Sequence, residues 1–321
     1  MSENTDPHQE ASASTVIGIN HVGLSVSNLD AALDFYTGAI DIAPEQPLRS
    51  GNPAAEKASG FHHEPVARTI LKGPNSYLQL SQYDEAVSGS SGEIAVKGPG
   101  ITHVCYQSPT ETDIYASFTA RGATPVSRGT APISLLGQGV YYAYERDPDG
   151  IMFETEHLDR SPFEGEIWIS HVALVSHDLD RLAAFYAMLF GREPNRRTNK
   201  AAGPTFDEVA DYDNVHIRAA WFDLSNMIVE LWQFVNPVTP EQGNPPPFET
   251  IGYNKVAFEV SDIQSEYRRL AGRGVDFLSE PVETAESTEV YARDPDGNLF
   301  SLIEPSPGSN ITINDLKKKD W

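Results

Sequence analysis

Several common features are scarce in this sequence. Cysteine occurs once in 321 residues, at Cys105, which excludes an internal disulfide and favours a reducing compartment. No apolar run is long enough to cross a bilayer, and the polar start MSENTDPHQEASAST lacks the apolar centre of a secretory signal. We therefore expect a cytoplasmic protein with a disordered leader at 1–14, no membrane partner, and Cys105 packed inertly on an apolar strand.

Basic residues are also few. Lys and Arg number 23 against 46 Asp and Glu, so the formal net charge is −23, which repels nucleic acid. The sequence contains no phosphate-binding loop and no dinucleotide fingerprint. The charge predicts no nucleic-acid partner, and the missing motifs predict no nucleotide cofactor.

What the sequence does contain is an internal repeat of four segments that begin alike. They are INHVGLSVSNLDAALDFY, ITHVCYQSPTETDIYASF, ISHVALVSHDLDRLAAFY and YNKVAFEVSDIQSEYRRL. In the first segment Val22, Leu24 and Val26 alternate with polar or small residues, and Asn28 offers a helix cap. Further strand-like runs follow each helix, so each unit is predicted to be one strand, one helix and about three strands, βαβββ.

A larger repeat divides the chain into two halves of two units each. The pattern around His21 recurs at His171, 150 residues later, and units two and four share a DPDG turn between two of their strands. Proline, glycine and charged residues interrupt the strand pattern between the halves. We predict one domain at 15–158, a second at 166–305 and a tail at 306–321.

Four βαβββ units with these motifs resemble the vicinal oxygen chelate superfamily, which includes glyoxalase I, methylmalonyl-CoA epimerase and the extradiol dioxygenases. The resemblance covers about residues 15–305 and implies an α+β fold whose units pair into two open-barrel domains. It also implies that metal ligands come from the first and last strands of paired units. In the first half these positions hold His21, Gln79, His103 and Glu154.

The residue types support a metal at these positions. Gln79 and Glu154 each lie between strand residues that face the other way, so they share a concave side with the two imidazoles. Mixed nitrogen and oxygen ligands suit one divalent ion of Fe, Zn, Mn, Co or Ni. Each His taken alone is explained as well by an ordinary hydrogen bond on a strand.

The second half differs at the corresponding positions. A lysine replaces one imidazole and a hydroxyl replaces the carboxylate, so we expect a degenerate site there without a catalytic metal. The four residues are His171, Glu230, Lys255 and Ser301.

The ligand set of the first half resembles those of the epimerase and of glyoxalase I, which implies lyase or isomerase chemistry through a metal-stabilised enediolate. Glu154 is then both ligand and catalytic base. The separate glutamate that the epimerases carry has no match near Thr69. The loop sequence FHHEP, which includes His63, offers an acid or base, or is simply a solvated polar loop.

Two other functions stay open. His21, His103 and Glu154 also form the two-His, one-carboxylate triad of Fe(II) ring-cleaving dioxygenases, with Tyr144 as a catalytic residue; Tyr291, however, repeats it in the second half. A metal-free binding protein that sequesters its ligand is the third class. The groove is expected to take a small oxygenated molecule near Tyr142, Arg68 and Phe61, and a homodimer is possible.

Overall fold

A computed structural model describes residues 13–40, 42–45, 63, 65–84, 93–161 and 167–318. Within these ranges all four repeated segments fold as a strand followed by a helix, and further strands follow each of them. The predicted α+β fold of four βαβββ units is therefore confirmed. None of the described helices is long and apolar enough to span a membrane.

The first half contains units one and two. Unit one consists of β1 (Val16–Val26), α1 (Leu29–Ala39), β2 (Ala43–Pro44), β3 (Ala67–Lys72) and β4 (Tyr77–Gln82). Unit two consists of β5 (Gly100–Pro109), α2 (Ile114–Thr119), β6 (Thr124–Pro125), β7 (Ile133–Ser134), β8 (Val140–Arg146) and β9 (Met152–Leu158).

The second half contains units three and four. Unit three consists of β10 (Trp168–Val175), α3 (Leu179–Phe190), β11 (Arg196–Ala202), α4 (Pro204–Ala210), β12 (His216–Asp223) and β13 (Ile228–Asn236). Unit four consists of β14 (Gly252–Val260), α5 (Ile263–Ala271), β15 (Val282–Glu283), β16 (Ser287–Arg293) and β17 (Leu299–Pro305).

The helix of each unit begins at a side-chain cap. In every case the cap oxygen accepts a hydrogen bond from the backbone N–H three residues later, which satisfies one of the free donors of the first turn. Such a cap stabilises a helix by about 1 kcal/mol. The capping residues are Asn28, Asp113, Asp178 and Asp262.

The four units pair differently from the expectation. Strand β1 of unit one pairs with β14 of unit four, and β5 of unit two pairs with β10 of unit three, both antiparallel. One sheet of eight strands therefore combines units one and four, and one of nine strands combines units two and three. The prediction that the two units of each half pair with each other is therefore wrong. Among the described residues, neither half builds a sheet alone.

Each sheet has a helix face, which packs on helices, and an open face on its other side. Val104 and Tyr106 point to the helix face and join one continuous core with the helices of all four units. Helices also tie the two units of each half together, because Tyr36 of α1 donates a hydrogen bond to Asp147 in the DPDG turn of unit two (2.8 Å). Tyr186 of α3 contacts Asp294 in unit four in the same way (3.3 Å).

The segment after β17 folds back on the sheet of units one and four. Ile313 and Leu316 are buried against Ile70 and Tyr77, and the Tyr77 hydroxyl donates to the carbonyl of Asn310 (3.0 Å). The described part of the predicted tail is thus packed on the protein. The predicted leader lies almost wholly outside the described residues.

One carboxyl on the helix face makes stability depend on pH. Burial raises the pKa of Glu145 to about 8, and the hydroxyls of Thr119 and Thr155 offset only part of this effect. The folded chain therefore keeps a proton that the unfolded chain loses at its ordinary pKa of 4.5. Stability from this group is full below about pH 4.5 and is lost as the pH rises through about 8.

We expect Glu145→Gln to raise the free energy of unfolding at pH 9 by an amount on the order of a few kcal/mol, because the amide is never ionised. At pH 4.5 the variant and the parent should be equally stable. Urea unfolding at a series of pH values measures both. An equally steep loss of stability with pH in the variant would exclude Glu145 as its origin.

Candidate metal centre

Four ligand side chains meet on the open face of the sheet of units two and three. His103 lies on β5 and His171 on β10, while Glu154 lies on β9 and Glu230 on β13. The strand register explains the meeting, because each last strand runs parallel beside a first strand and places its carboxylate next to the centre of the antiparallel β5–β10 pair. Both units thus contribute one imidazole and one carboxylate.

The ligand atoms converge on one point. Glu154 Oε2 lies 3.0 Å from His103 Nε2 and 3.4 Å from His171 Nε2, which in turn lies 3.3 Å from Glu230 Oε2. All four side chains are at most 10% exposed. His103 Nε2, His171 Nε2 and Glu230 Oε2 are nevertheless buried without an aligned hydrogen-bond partner. Close but unaligned contacts are expected when lone pairs point at a shared cation rather than at one another.

Neighbouring groups hold two of these side chains in the orientation that a metal needs. The Thr102 hydroxyl donates to the carbonyl of Ala173 (3.4 Å) and accepts from Nδ1–H of His103 (3.1 Å), a tautomer in which the lone pair of Nε2 faces the cluster when the ring is neutral. The indole N–H of Trp221 donates to Oε1 of Glu230, so that Oε2 is left for a ligand.

The charges of the cluster show how strongly it favours a cation. Burial lowers the pKa of His171, but the carboxylates of Glu230 and Glu154 outweigh burial and raise it to about 9. Burial raises the pKa of Glu154, but the charge of His171 and the close contact with His103 outweigh it and lower the pKa to about 2. Without a metal, His171 therefore carries the positive charge that the surrounding carboxylates require.

A cavity of about 450 Å³ opens directly over this cluster. Its floor includes Glu154, His171 and Glu230, and its walls are mainly apolar and aromatic. Arg196 lines it with a side chain that is 59% exposed, and the guanidinium lies 5.1 Å from the centre of the Trp221 ring. The other aromatic wall residues are Tyr142, Phe206 and Trp232.

The structure does not bring the four predicted ligands together. His103 and Glu154 lie in the cluster, whereas His21 and Gln79 lie on the other sheet, because β1 and β4 pair with unit four. On that sheet Lys255 occupies the position that corresponds to His103 in the repeat. The grouping of His21 and Gln79 with His103 and Glu154 is therefore corrected.

The second half also departs from its expectation. His171 and Glu230 were expected in a degenerate site, but they complete the candidate metal centre, whereas Lys255 and Ser301 lie on the other sheet. The repeat could have predicted this site, because among the possible pairings of units only that of units two and three brings together two imidazoles and two carboxylates. The linear order of the chain hides it.

Other predicted residues lie near the cluster or away from it. Tyr144 is buried with its ring 5.0 Å from that of His103, but it does not line the cavity, whereas Tyr142 does. Cys105 is fully buried, as expected, with its thiol 3.9 Å from Glu156 on the open face. Arg68 lies on the other sheet, and His63 is exposed. Phe61, His62 and Glu64 lie outside the described residues.

Two imidazoles and two carboxylates can hold a first-row divalent ion and still leave coordination positions for a substrate. Such an ion supplies a Lewis acid that polarises a carbonyl oxygen and stabilises negative charge that develops on it. The unpartnered nitrogen and oxygen atoms described above fit this ligand set.

Comparison with known proteins gives a family match on both halves. A family model described as Glyoxalase/Bleomycin resistance protein/Dioxygenase superfamily matches residues 18–155 and 168–302. Two uncharacterized proteins of Bacillus subtilis (strain 168) are also similar. YetH is 30% identical over 99 residues, 31% of this chain and 78% of YetH. YurT is 40% identical over 53 residues, 16% of this chain and 42% of YurT, so this chain spans less than half the length of YurT.

Solved structures match most of the chain. Glyoxalase I from Zea mays superposes with a TM-score of 0.61 and 19% sequence identity, over 89% of this chain and 92% of that one. A putative dioxygenase from Bacillus subtilis superposes with a TM-score of 0.57 and 14% identity, over 92% of this chain and 87% of that one. At these identities the likeness shows the shared fold.

Proposed function

Since this chain belongs to the glyoxalase/bleomycin resistance protein/dioxygenase superfamily, we propose that it is a metal-dependent enzyme of lyase or isomerase type, acting on a small oxygenated organic substrate through a metal-stabilised enediolate. Its metal ligands are His103, Glu154, His171 and Glu230. The observation that carries the proposal is the convergence of these side chains, three of them with buried ligand atoms that lack an aligned partner.

The two carboxylates have different surroundings, which suits them to different roles. Glu230 is held by Trp221, whereas the described contacts of Glu154 are to the two imidazoles. When both imidazoles turn to a metal, Glu154 is the less restrained carboxylate. We assign it the removal of a proton from the carbon beside the substrate carbonyl, and its return to a neighbouring atom.

The cavity selects the substrate by shape and charge. Its aromatic walls exclude water and bind an apolar part, while Arg196 at the edge can pair with an anionic end of the substrate. Gln107 and Glu156 form a polar side of the same cavity, with the amide of Gln107 donating to Glu156 (2.5 Å). Burial and the neighbouring charge of Glu154 raise the pKa of Glu156, which helps it to hold a proton for a substrate oxygen.

Ring cleavage by Fe(II) is the alternative function, but the presence of a second carboxylate, Glu230, disfavours it. A facial triad of two His and one carboxylate leaves open positions for substrate and O2, and Glu230 would fill one of them here. Metal-free sequestration accounts even less well for four convergent ligand side chains. Tight binding of iron together with O2 uptake on a catechol would favour the dioxygenase over our proposal.

We expect Glu154→Gln to lower kcat by about 100-fold or more, because the amide cannot accept a proton. The assay follows proton exchange and product formation with thiol adducts of 2-oxoaldehydes, with Mn, Co, Ni and Zn supplied in turn. The control for net charge is Glu283→Gln, which removes one exposed carboxylate from β15 on the other sheet. Unchanged kcat in Glu154→Gln, at full metal occupancy, would remove Glu154 from the proposed base role.

A further inference from the structure

The open face of the sheet of units one and four carries the counterparts of the four proposed metal ligands. The two sheets share one register: His21 lies opposite Ala257 as His171 lies opposite Cys105, and Lys255 lies opposite Gly23 as His103 lies opposite Ala173. On the flanking strands, Gln79 takes the place of Glu230 and Ser301 the place of Glu154. We call the four proposed metal ligands the first cluster. The second cluster is His21, Gln79, Lys255 and Ser301.

The substitutions remove both negative charges from the four positions. Both carboxylates are replaced by neutral groups, and one imidazole is replaced by the ammonium of Lys255, which is 2% exposed. Glu289 pairs with this ammonium (3.1 Å), and the hydroxyl of Tyr291 lies 3.2 Å from it. Burial and the nearby charges of Lys255 and Arg68 all lower the pKa of His21, which is therefore neutral. The four proposed metal ligands favour a cation, whereas the second cluster has no carboxylate among its four side chains to hold one.

Three polar groups of the second cluster have capacity left for a ligand. Nε2 of His21 and Oγ of Ser301 are buried without a hydrogen-bond partner among the described residues. The Lys255 ammonium has three hydrogens, and two of them are accounted for by Glu289 and Tyr291. Buried polar groups of this kind need a partner, which here is a ligand or ordered water.

The tautomer of His21 decides whether its Nε2 donates a hydrogen bond to a ligand or accepts one from it. The Asn20 side-chain amide donates its hydrogens to Glu259 (2.6 Å) and to the carbonyl of Ile311 (3.3 Å), which identifies its oxygen as the atom facing His21. That oxygen accepts from Nδ1–H of His21 (2.8 Å), so Nε2 is an acceptor. The cluster thus offers donors from Lys255 and Ser301 beside one acceptor from His21.

We propose that the second cluster is a metal-free binding site for a small hydroxycarboxylate. The ligand carboxylate accepts hydrogen bonds from the Lys255 ammonium and the Ser301 hydroxyl, and the ligand hydroxyl donates to Nε2 of His21. Gln79 completes the site with an amide that can donate to or accept from either group. A carboxylate alone leaves Nε2 of His21 without a donor, and a neutral alcohol brings no charged acceptor to the third hydrogen of the ammonium.

The test is binding of glycolate, the smallest hydroxycarboxylate, to the full-length chain by calorimetry and by ligand-observed NMR. The chain carries His103→Ala, so that glycolate cannot bind through a metal in the first cluster. Acetate lacks the hydroxyl and should bind roughly threefold to tenfold more weakly, the effect of one hydrogen bond. Ethylene glycol lacks the carboxylate and should show no measurable binding.

Two variants test the residues. Lys255→Met should weaken glycolate binding about tenfold or more, because it removes the charge-assisted contact. Ser301→Ala should weaken it about threefold, and it removes only one atom from a packed strand, so it serves if Lys255→Met does not fold. Absence of glycolate binding, equal binding of acetate, or binding that neither variant weakens would overturn the proposal and leave ordered water as the occupant.

Discussion

Replacing His103 or His171 with alanine is expected to weaken the binding of a divalent ion on the order of 100- to 1,000-fold. Protein sites bind such ions with free energies on the order of 10 kcal/mol or more shared among about four ligands, so one ligand accounts for a few kcal/mol. Elemental analysis of protein purified without chelator, followed by competition with a chromophoric chelator, measures occupancy and affinity. The parent chain should hold one ion.

The matched control is His21→Ala, because His21 occupies on the other sheet the position that His171 occupies here. This variant should keep the ion with unchanged affinity. The two variants distinguish two ligand sets. Loss of the ion in His21→Ala would support the grouping of His21 with His103, whereas loss of the ion in His171→Ala would support a site between units two and three. Retention of the ion in both His103→Ala and His171→Ala would contradict our ligand set.

The second large effect concerns a buried ion pair on α5. Glu266 and Arg269 are at most 3% exposed in their side chains, and Arg269 also donates to the carbonyls of Met188 (2.9 Å) and Leu189 (2.6 Å) at the end of α3. Glu266 in turn accepts from the backbone N–H of Thr15 (3.0 Å). The pair therefore joins units three and four to the chain just before β1.

We expect Glu266→Leu to lower the free energy of unfolding by about 3–5 kcal/mol, because it leaves the buried charge of Arg269 without its counterion. Tm should fall by roughly 5–10 °C in calorimetry. The double variant Glu266→Leu/Arg269→Leu carries no unpaired charge and should lose less than the two single variants together. Strictly additive losses would show that the two side chains do not stabilise each other.

Local structure was predictable from the sequence because it depends on neighbours along the chain. The alternation around Val22 and Leu24 predicts a strand with one buried face, and Asn28 caps the helix that follows. The polar residues on the other face of each first strand were identified for the same reason. His103 and Glu154 were placed together correctly, since both lie in unit two.

The pairing of units was not predictable in this way. Four similar units present similar edges, so hydrophobic periodicity allows the first strand of one unit to pair with that of several others. The choice depends on contacts between distant segments, such as Asn226 of unit three, whose amide donates to the carbonyls of Ile19 (2.8 Å) and Asn75 (2.8 Å) in unit one. The chemistry of the ligand positions would have been the better guide, because only units two and three together supply two imidazoles and two carboxylates.

The shared sheets also have a consequence for the order in which the protein is completed during synthesis. Units two and three are consecutive, so all four proposed ligands have been made once the chain reaches Glu230. Strand β1 is made first, yet its partner β14 begins only at Gly252, and this pairing closes a far longer loop than the pairing of β5 with β10. The sheet that carries the proposed ligands can thus assemble on a growing chain while β1 still has one unpaired edge. Unit one is therefore the part of the nascent protein most in need of protection from aggregation.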